Sequence, residues 1–328
     1  SIIEVERIFY FFSYLLGNIN SFKEETLLIQ MKGVLVILDG VGDLPNSQLE
    51  GKTPLDVAEM PNLDFLATRG EMGFMYTVKP GYTPGSDEAI VSMFGNKLIS
   101  STRGQLEATG AGIQLKRGDL ALRVNFATVD SFKQRTIGDR RAGRTLTTKE
   151  AEIFAKAINK IKLPVKFVFE PTVQHRGVLV FRGGFSDNIS GNDPNPPNGK
   201  FKLCRPLDDE ENAQYTANML NEFLAQVYDV LDSHPINEER RKKGLLAANY
   251  LLVRGAGAEI PKLKRYPKWM CTSTMPLEVG FATLSKMKVF SFNYPKLKNF
   301  DSYSNLHKGL AKRCKFVIKM LKKQNKKF

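Results

Sequence analysis

Cysteine, histidine and long apolar runs are all scarce in this 328-residue chain. Its three cysteines, Cys204, Cys271 and Cys314, are far apart and have no Cys-x-x-Cys spacing. That excludes a disulfide framework and a structural zinc site, and fits a reducing cytoplasm. The three histidines, His175, His234 and His307, have no recognisable triad context, and no Gly-x-Ser-x-Gly elbow is present, so a Ser-His hydrolase has no support. No stretch approaches the roughly 20 apolar residues of a membrane helix. The nearest, Ile8–Leu16, follows Glu4, Glu6 and a single arginine, Arg7, which is not the basic leader of a signal peptide. No internal repeat is visible.

What is abundant is positive charge, +14 overall, on a chain of otherwise ordinary globular composition (42% hydrophobic, 25% charged). Its length allows one large or two medium domains. Nine Lys/Arg and no acid lie between Lys308 and Lys327. Elsewhere the arginines occur singly or in short groups beside glycine. That suits small anionic ligands better than a nucleic-acid stripe, and no RNA-binding module or aromatic-basic interleaving accompanies them.

Residues 1–30 differ from the rest and read as a non-family extension, with Met31 as the natural start. Val34–Leu38 is a β-branched apolar run and reads as a strand buried on both faces. Thr53-Pro54 is a helix start. Pro61–Gly70 and Asp87–Phe94 read as helices, and Gly104–Gly112 is glycine-dense. Ala121–Val129 is a strand, Thr147–Lys160 a helix capped by Thr147, and Val165–Phe169 and Gly177–Phe181 are paired strands. Ser186–Gly199 is a long loop and Glu211–Leu231 a long helix. Asn249–Val253 is a strand followed by a loop, RGAG. Val289–Phe292 is one more strand, and Leu306–Leu321 is an amphipathic helix whose carboxyl end competes with a strand reading. The pattern implies an α/β core from 31–130 and 246–328, with a smaller α+β module from 131–245 inserted.

The chemistry concentrates at two places. Asp39, at the carboxyl end of the first expected strand, is either a ligand for a divalent cation or a turn-capping carboxylate. Ser86, at a Gly-Ser-Asp turn before a helix, meets free N–H groups and the positive dipole end, which favour an alkoxide or phosphoserine; otherwise it is a plain N-cap. Arg140, Arg141 and Arg144 in GDRRAGR, His175 and Arg176 in QHRGVLVFRGG, and Arg103 with Glu107 suggest a small, multiply anionic substrate, although each alone is more often a surface ion pair.

The ordered set LVILDGVGD, PNLDFLATRG, PGSDEAIVSMFG, RGQLEATGAGI, NFATVD, DRRAGR, HRGVLVFRGG and NYLLVRGAG resembles the archaeal-type cofactor-independent (2,3-bisphosphoglycerate-independent) phosphoglycerate mutases of the alkaline phosphatase superfamily. The similarity runs from about Met31 to Val289. It implies a phosphatase-like core binding two divalent metals (manganese, magnesium or zinc) and an inserted domain that closes over phosphoglycerate. It also implies a cytoplasmic isomerase of glycolysis and gluconeogenesis that interconverts 3- and 2-phosphoglycerate through a phosphoserine at Ser86. Asp39 and Ser86 match metal ligands. Arg140, Arg141, Arg144, Arg176 and Arg254, with His175, match the substrate cleft. No membrane is implied, and the oligomeric state is open. The chain departs from the family at its carboxyl end: KFVIKMLKKQNKKF stands where a DFVxxHxK strand and further Asp/His ligands are expected, so most metal ligands are expected to be missing and activity compromised. A metal-dependent phosphohydrolase and a non-catalytic anion- or nucleic-acid-binding relative are the competing readings.

Overall fold

A computed structural model describes residues 33–98, 103–194, 199–292 and 303–324. The extension expected over residues 1–30 lies outside them. The chain forms two units, Ser1–Met93 and Phe94–Phe328.

In the first unit the described elements are a 3-10 turn, Ser47–Leu49, and three short α-helices, α1 (Pro54–Val57), α2 (Pro61–Ala67) and α3 (Ser86–Met93). Thr53 caps α1 through a reciprocal capping box with Asp56, and prolines open both α1 and α2, since neither first-turn position needs a backbone donor. The strand expected at Val34–Leu38 is not formed: the run is unpaired among the described residues, with Val34 54% and Val36 59% exposed. An apolar run becomes a buried strand only when neighbours bond both of its edges, and no described strand does so here.

The second unit is built on an antiparallel sheet. Its strands are β1 (Leu120–Ser131), β2 (Thr136–Asp139), β3 (Lys166–Pro171), β4 (Arg176–Arg182) and β5 (Tyr250–Gly257). The long β1 is central. It pairs with β4 and β2 along one edge and β5 along the other, and β3 flanks β4. RGAG, expected as a loop, instead continues β5. Alternation along β1 sends Leu122, Val124 and Phe126 to one face. There they join Phe154 of α5 (Thr148–Ile158) and Phe223 of α6 (Glu211–Asp232) in the main core. Thr147 caps α5 with Glu150. The helix α7 (Pro235–Lys242) leads into β5.

The opposite face of β1 meets α4 (Arg103–Gly110), a helix the glycine density of Gly104–Gly112 had concealed. A Cβ at Gly104 would lie 2.0 Å from the Ala121 carbonyl oxygen and 2.7 Å from that of Gly255. Only glycine lets α4 sit this close to β1 and β5. Next to α4 lies α8 (Pro276–Leu284), which crosses between two parallel strands, β6 (Met270–Ser273) and β7 (Lys288–Ser291). The chain's last described element is one continuous helix, α9 (Tyr303–Gln324), so the strand reading of its carboxyl half fails. Phe316 of α9 packs on Phe290 and Phe292, at centroid distances of 4.8 and 5.3 Å.

Candidate functional site

In the first unit, Ser86 is the first residue of α3. The helix is closed by Ala89 N–H donating to the Gly85 carbonyl, while Glu88 Oε2 reaches back to accept from Gly85 N–H at 2.7 Å. Ser86 is therefore not the capping side chain. Its hydroxyl donates instead to Asp39 Oδ2 at 3.0 Å, across 47 residues of sequence. Asp39 is exposed and lies in a turn, not at a strand end. The fold thus brings together the serine and the carboxylate read from the sequence, with Ser86 half-buried at a helix N-terminus and its bond to Asp39 exposed.

These two groups do not fit a pair of divalent ions. Hard or borderline cations of this kind take about four to eight donors each. Asp39 and Ser86 supply one carboxylate and one hydroxyl, and the described residues hold no group of three His, Cys, Asp or Glu able to bind a metal.

In the second unit, the sheet itself assembles a row of arginines. Arg123 of β1 lies opposite Arg254 of β5, and Asn125 lies opposite Arg176 of β4. Opposed residues in antiparallel strands share a face, here the face covered by α4. That helix lowers Glu107, 3% exposed, onto the row, where its Oε1 accepts from Arg103 at 2.7 Å and lies 3.5 Å from Arg123 Nε. Asp193, from the loop after β4, accepts both Nε and an Nη of Arg140, at 2.8 and 2.5 Å, on its Oδ1. Arg254 lies 3.8 Å from the other oxygen, Oδ2.

Positive charge outweighs negative here. Burial disfavours the charged form of Arg123; Glu107 opposes that, and the charges of Arg103, Arg254 and Arg176 add to it. Burial lowers Arg254 as well; Asp193 opposes that lowering, and the charges of Arg103 and Arg140 add to it. The guanidinium groups stay protonated at neutral pH. Glu107 faces Arg103 and Arg123, and Asp193 faces Arg140 and Arg254. His175, 2% exposed, has its imidazole pushed down to about 3, first by burial and then by Arg176, Arg123 and Arg144. It is neutral at pH 7, and its Nδ1 has no hydrogen-bond partner.

Of the residues expected from sequence in this unit, Arg140, Arg144, His175, Arg176 and Arg254 come together. Arg141 does not join them by any described contact: its backbone N–H, with that of Gly143, donates to Asp139 Oδ1, and its side chain is exposed. Arg123 and Asp193 were missed. Arg123 had a signal, a lone cation inside the apolar strand LALRVNFATVD. Asp193 had none, being one carboxylate in a loop rich in Asn, Pro and Gly.

Comparison with known proteins identifies the family. Residues 67–237 match the family described as 2,3-bisphosphoglycerate-independent phosphoglycerate mutase. The protein of that name numbered 1 in Archaeoglobus fulgidus is 46% identical over 242 residues, covering 72% of this chain and 58% of that protein. Its namesake in Pyrococcus furiosus is 46% identical over 232 residues, 70% of this chain and 55% of that one. The chain therefore spans little more than half the length of these curated relatives. Among solved structures, the PH0037 protein of Pyrococcus horikoshii superposes with a TM-score of 0.55 at 31% identity, over 79% of this chain and 61% of that one.

Proposed function

Because the chain belongs to the 2,3-bisphosphoglycerate-independent phosphoglycerate mutase family, we propose that it carries the phosphoryl-acceptor serine and the substrate grip of a mutase interconverting 3- and 2-phosphoglycerate. The contact between Ser86 Oγ and Asp39 Oδ2 carries this reading. A serine serving only as a cap would accept from its own helix, whereas this one is turned to a carboxylate distant in sequence.

In the proposed reaction, Ser86 Oγ attacks phosphorus and the bond from phosphorus to the C3 oxygen of glycerate breaks. The serine proton leaves toward Asp39, and the C3 oxygen takes up a proton. The phosphoserine sits at the N-terminus of α3, where the helix dipole favours its charge; Asp87 and Glu88 in the same turn oppose it, which favours its return to substrate. The 2-hydroxyl then attacks phosphorus and loses its proton, the bond from phosphorus to Ser86 Oγ breaks, and Oγ recovers its proton from Asp39. Within the second unit, Arg140, Arg144, Arg176 and Arg254 grip the anionic substrate in this reading, and neutral His175 offers a hydrogen bond without adding charge. Arg141 belongs to the same basic loop.

The family reading brings with it dependence on divalent metal, with manganese, magnesium and zinc as the candidates, and a place in cytoplasmic glycolysis. Asp39 and Ser86 would be two donors of a larger set, and no step here is routed through an ion. No described helix is long and apolar enough to cross a membrane. The proposed closing module, 131–245, contributes β2, β3 and β4 to one continuous sheet with β1 and β5, so closure would carry that whole sheet.

The test is to incubate the chain with 3-phosphoglycerate and manganese, follow 2-phosphoglycerate by phosphorus NMR, and search by mass spectrometry for one phosphoryl group on the peptide containing Ser86. Both are expected, and Ser86→Ala should abolish both. A folded chain that yields neither refutes the proposal. Release of inorganic phosphate alone would turn the reading to a phosphohydrolase.

A further inference from the structure

The basic carboxyl end that stands out in the sequence takes no part in either site described above. It forms α9, a single 22-residue helix without one Asp or Glu. One side of this helix is already occupied. Phe316 packs there on Phe290 and Phe292 of the same unit. Gly309, Arg313 and Met320, three or four residues apart along that side, are only partly exposed.

The other side carries two rows. Leu310, Cys314 and Ile318, each four residues from the next, make an apolar row. All three are exposed, Leu310 by 51% and Ile318 by 52%. Lys308, Lys315, Lys319 and Lys322 make the second row and are exposed as well. The rows adjoin, since Lys315 and Lys322 lie three and four residues from Ile318. A single exposed leucine needs no explanation. An apolar row in helical register does, because it keeps apolar surface in water beside lysines that repel one another.

The chemistry of the two rows selects what covers them. An isologous contact with a second copy would set lysine against lysine. A nucleic acid would use the lysines, but its bases stack on aromatic rings, and the ring of Phe316 is spent inside; the apolar row would stay wet. A groove-shaped protein partner closes around a helix, and the inner side of α9 is taken. A bilayer offers one flat surface, with negative headgroups over an apolar interior, and needs only the outer side.

We propose that α9 docks the chain on an anionic bilayer surface, with Leu310, Cys314 and Ile318 dipping between the headgroups and the lysine row on the lipid phosphates. The helix lies on the membrane, as a basic amphipathic helix does, and is not apolar enough to cross it. This docking goes beyond the mutase reading and does not depend on it.

The test is co-sedimentation of the full chain with vesicles of phosphatidylserine and phosphatidylcholine in equal parts, against vesicles of phosphatidylcholine alone. Binding is expected only to the anionic vesicles. Each lysine near such a surface is worth a factor of about five, so Lys308→Gln/Lys315→Gln/Lys319→Gln/Lys322→Gln should lower partitioning about a hundredfold or more. Leu310→Gln/Ile318→Gln keeps every charge and leaves the arginine face untouched, and should lower it about tenfold. A polarity-sensitive fluorophore on Cys314, the exposed thiol of the three, should shift to the blue on the anionic vesicles. Absence of binding to these vesicles, undiminished binding by Leu310→Gln/Ile318→Gln, or an unshifted fluorophore overturns the proposal. Binding to duplex DNA without binding to vesicles overturns it in favour of a nucleic-acid contact. The substituted side chains are exposed, so the variants should fold, and the two vesicle types with the fluorophore decide the matter on the unsubstituted rows in any case.

Discussion

Glu107→Gln isolates the electrostatic problem at the centre of the second unit. Glu107 is 3% exposed and faces Arg103 at 2.7 Å and Arg123 at 3.5 Å. The substitution keeps shape and removes one charge. Arg123, 5% exposed, would then lack its nearest counter-charge while the charges of Arg103, Arg254 and Arg176 still press on it. Removing one partner of a buried ion pair costs about 3–5 kcal/mol. The side chain of Arg103 is 19% exposed and can turn to water, which places the expected loss near the lower end, about 3 kcal/mol. Urea unfolding followed by fluorescence of Trp269, the chain's single tryptophan, which packs on Phe94 and Tyr266 in this unit, measures it. Two further results should accompany the loss. Replacing both partners, in Glu107→Gln/Arg123→Met, should recover about 1 kcal/mol or more, because the uncompensated charge is gone. Inorganic phosphate should stabilise Glu107→Gln more than the native chain, since binding to the folded state raises stability by mass action and the variant has the larger excess of positive charge. A loss within about 0.5 kcal/mol, the range of ordinary surface substitutions, would refute the claim that Glu107 neutralises a buried cation, as would a double variant less stable than the single one.

His175 should make the fold acid-sensitive. Its folded-state value is pushed down to about 3 from an ordinary 6.5, so between these values the unfolded chain binds more protons, and stability should fall as pH drops, by up to about 1.4 kcal/mol per pH unit. A His175→Asn variant should show a flatter profile over that window in pH-dependent urea titrations. Glu150 behaves as a paired carboxylate: burial pushes it up, but Thr147 and Arg240 outweigh burial and hold it below its ordinary value. Its stabilisation is present above the unfolded value and lost as pH falls through the folded one, so the stability gap between native and Glu150→Gln chains should narrow as pH falls below the unfolded glutamate value of about 4.3. Gly104→Ala should destabilise by at least about 1–3 kcal/mol, because its Cβ would meet backbone oxygens of both β1 and β5; a neutral result in thermal unfolding would show that α4 can lift off the sheet freely.

Local signals in the sequence carried most of the second unit. The Thr147 cap announced α5, the paired apolar runs announced β3 and β4, and the periodicity of α6 needed no partner to be visible. Those features act within a few residues. The failures were non-local. Val34–Leu38 has a strand's composition, but composition cannot supply the neighbouring edges that make a strand, and the run lies unpaired and exposed. The helix α4 was masked by glycines whose purpose is close approach to β1 and β5, and β6 pairs with β7 only through the crossover of α8. Asp193 is the extreme case, because its importance comes from Asn192 docking on β5 and from the arrival of Arg140 and Arg254, none of which is encoded nearby.

The same contrast separates the two halves of the proposed chemistry. The proposed arginine face lies within one unit: β1, β4 and β5 set its register and α4 covers it. In the proposed reading this face grips an anion whether or not the serine reacts. The Ser86 hydroxyl is only half prepared. A carboxylate 3.0 Å away can orient a serine and take its proton, but it is a weak base, and a serine hydroxyl is a poor nucleophile unless a stronger base or a metal lowers its pKa. Binding and chemistry should therefore separate in experiment. Ser86→Ala and Asp39→Asn should leave the affinity for 3-phosphoglycerate within about twofold, a difference of about 0.4 kcal/mol, while removing any phosphorylation of the chain. Arg254→Ala should weaken binding tenfold or more, since about 1.5–3 kcal/mol goes with each charge-assisted contact. If Ser86→Ala weakened binding as much as Arg254→Ala, the arginine face would not be a self-sufficient grip, and the division of labour between the two units would be wrong.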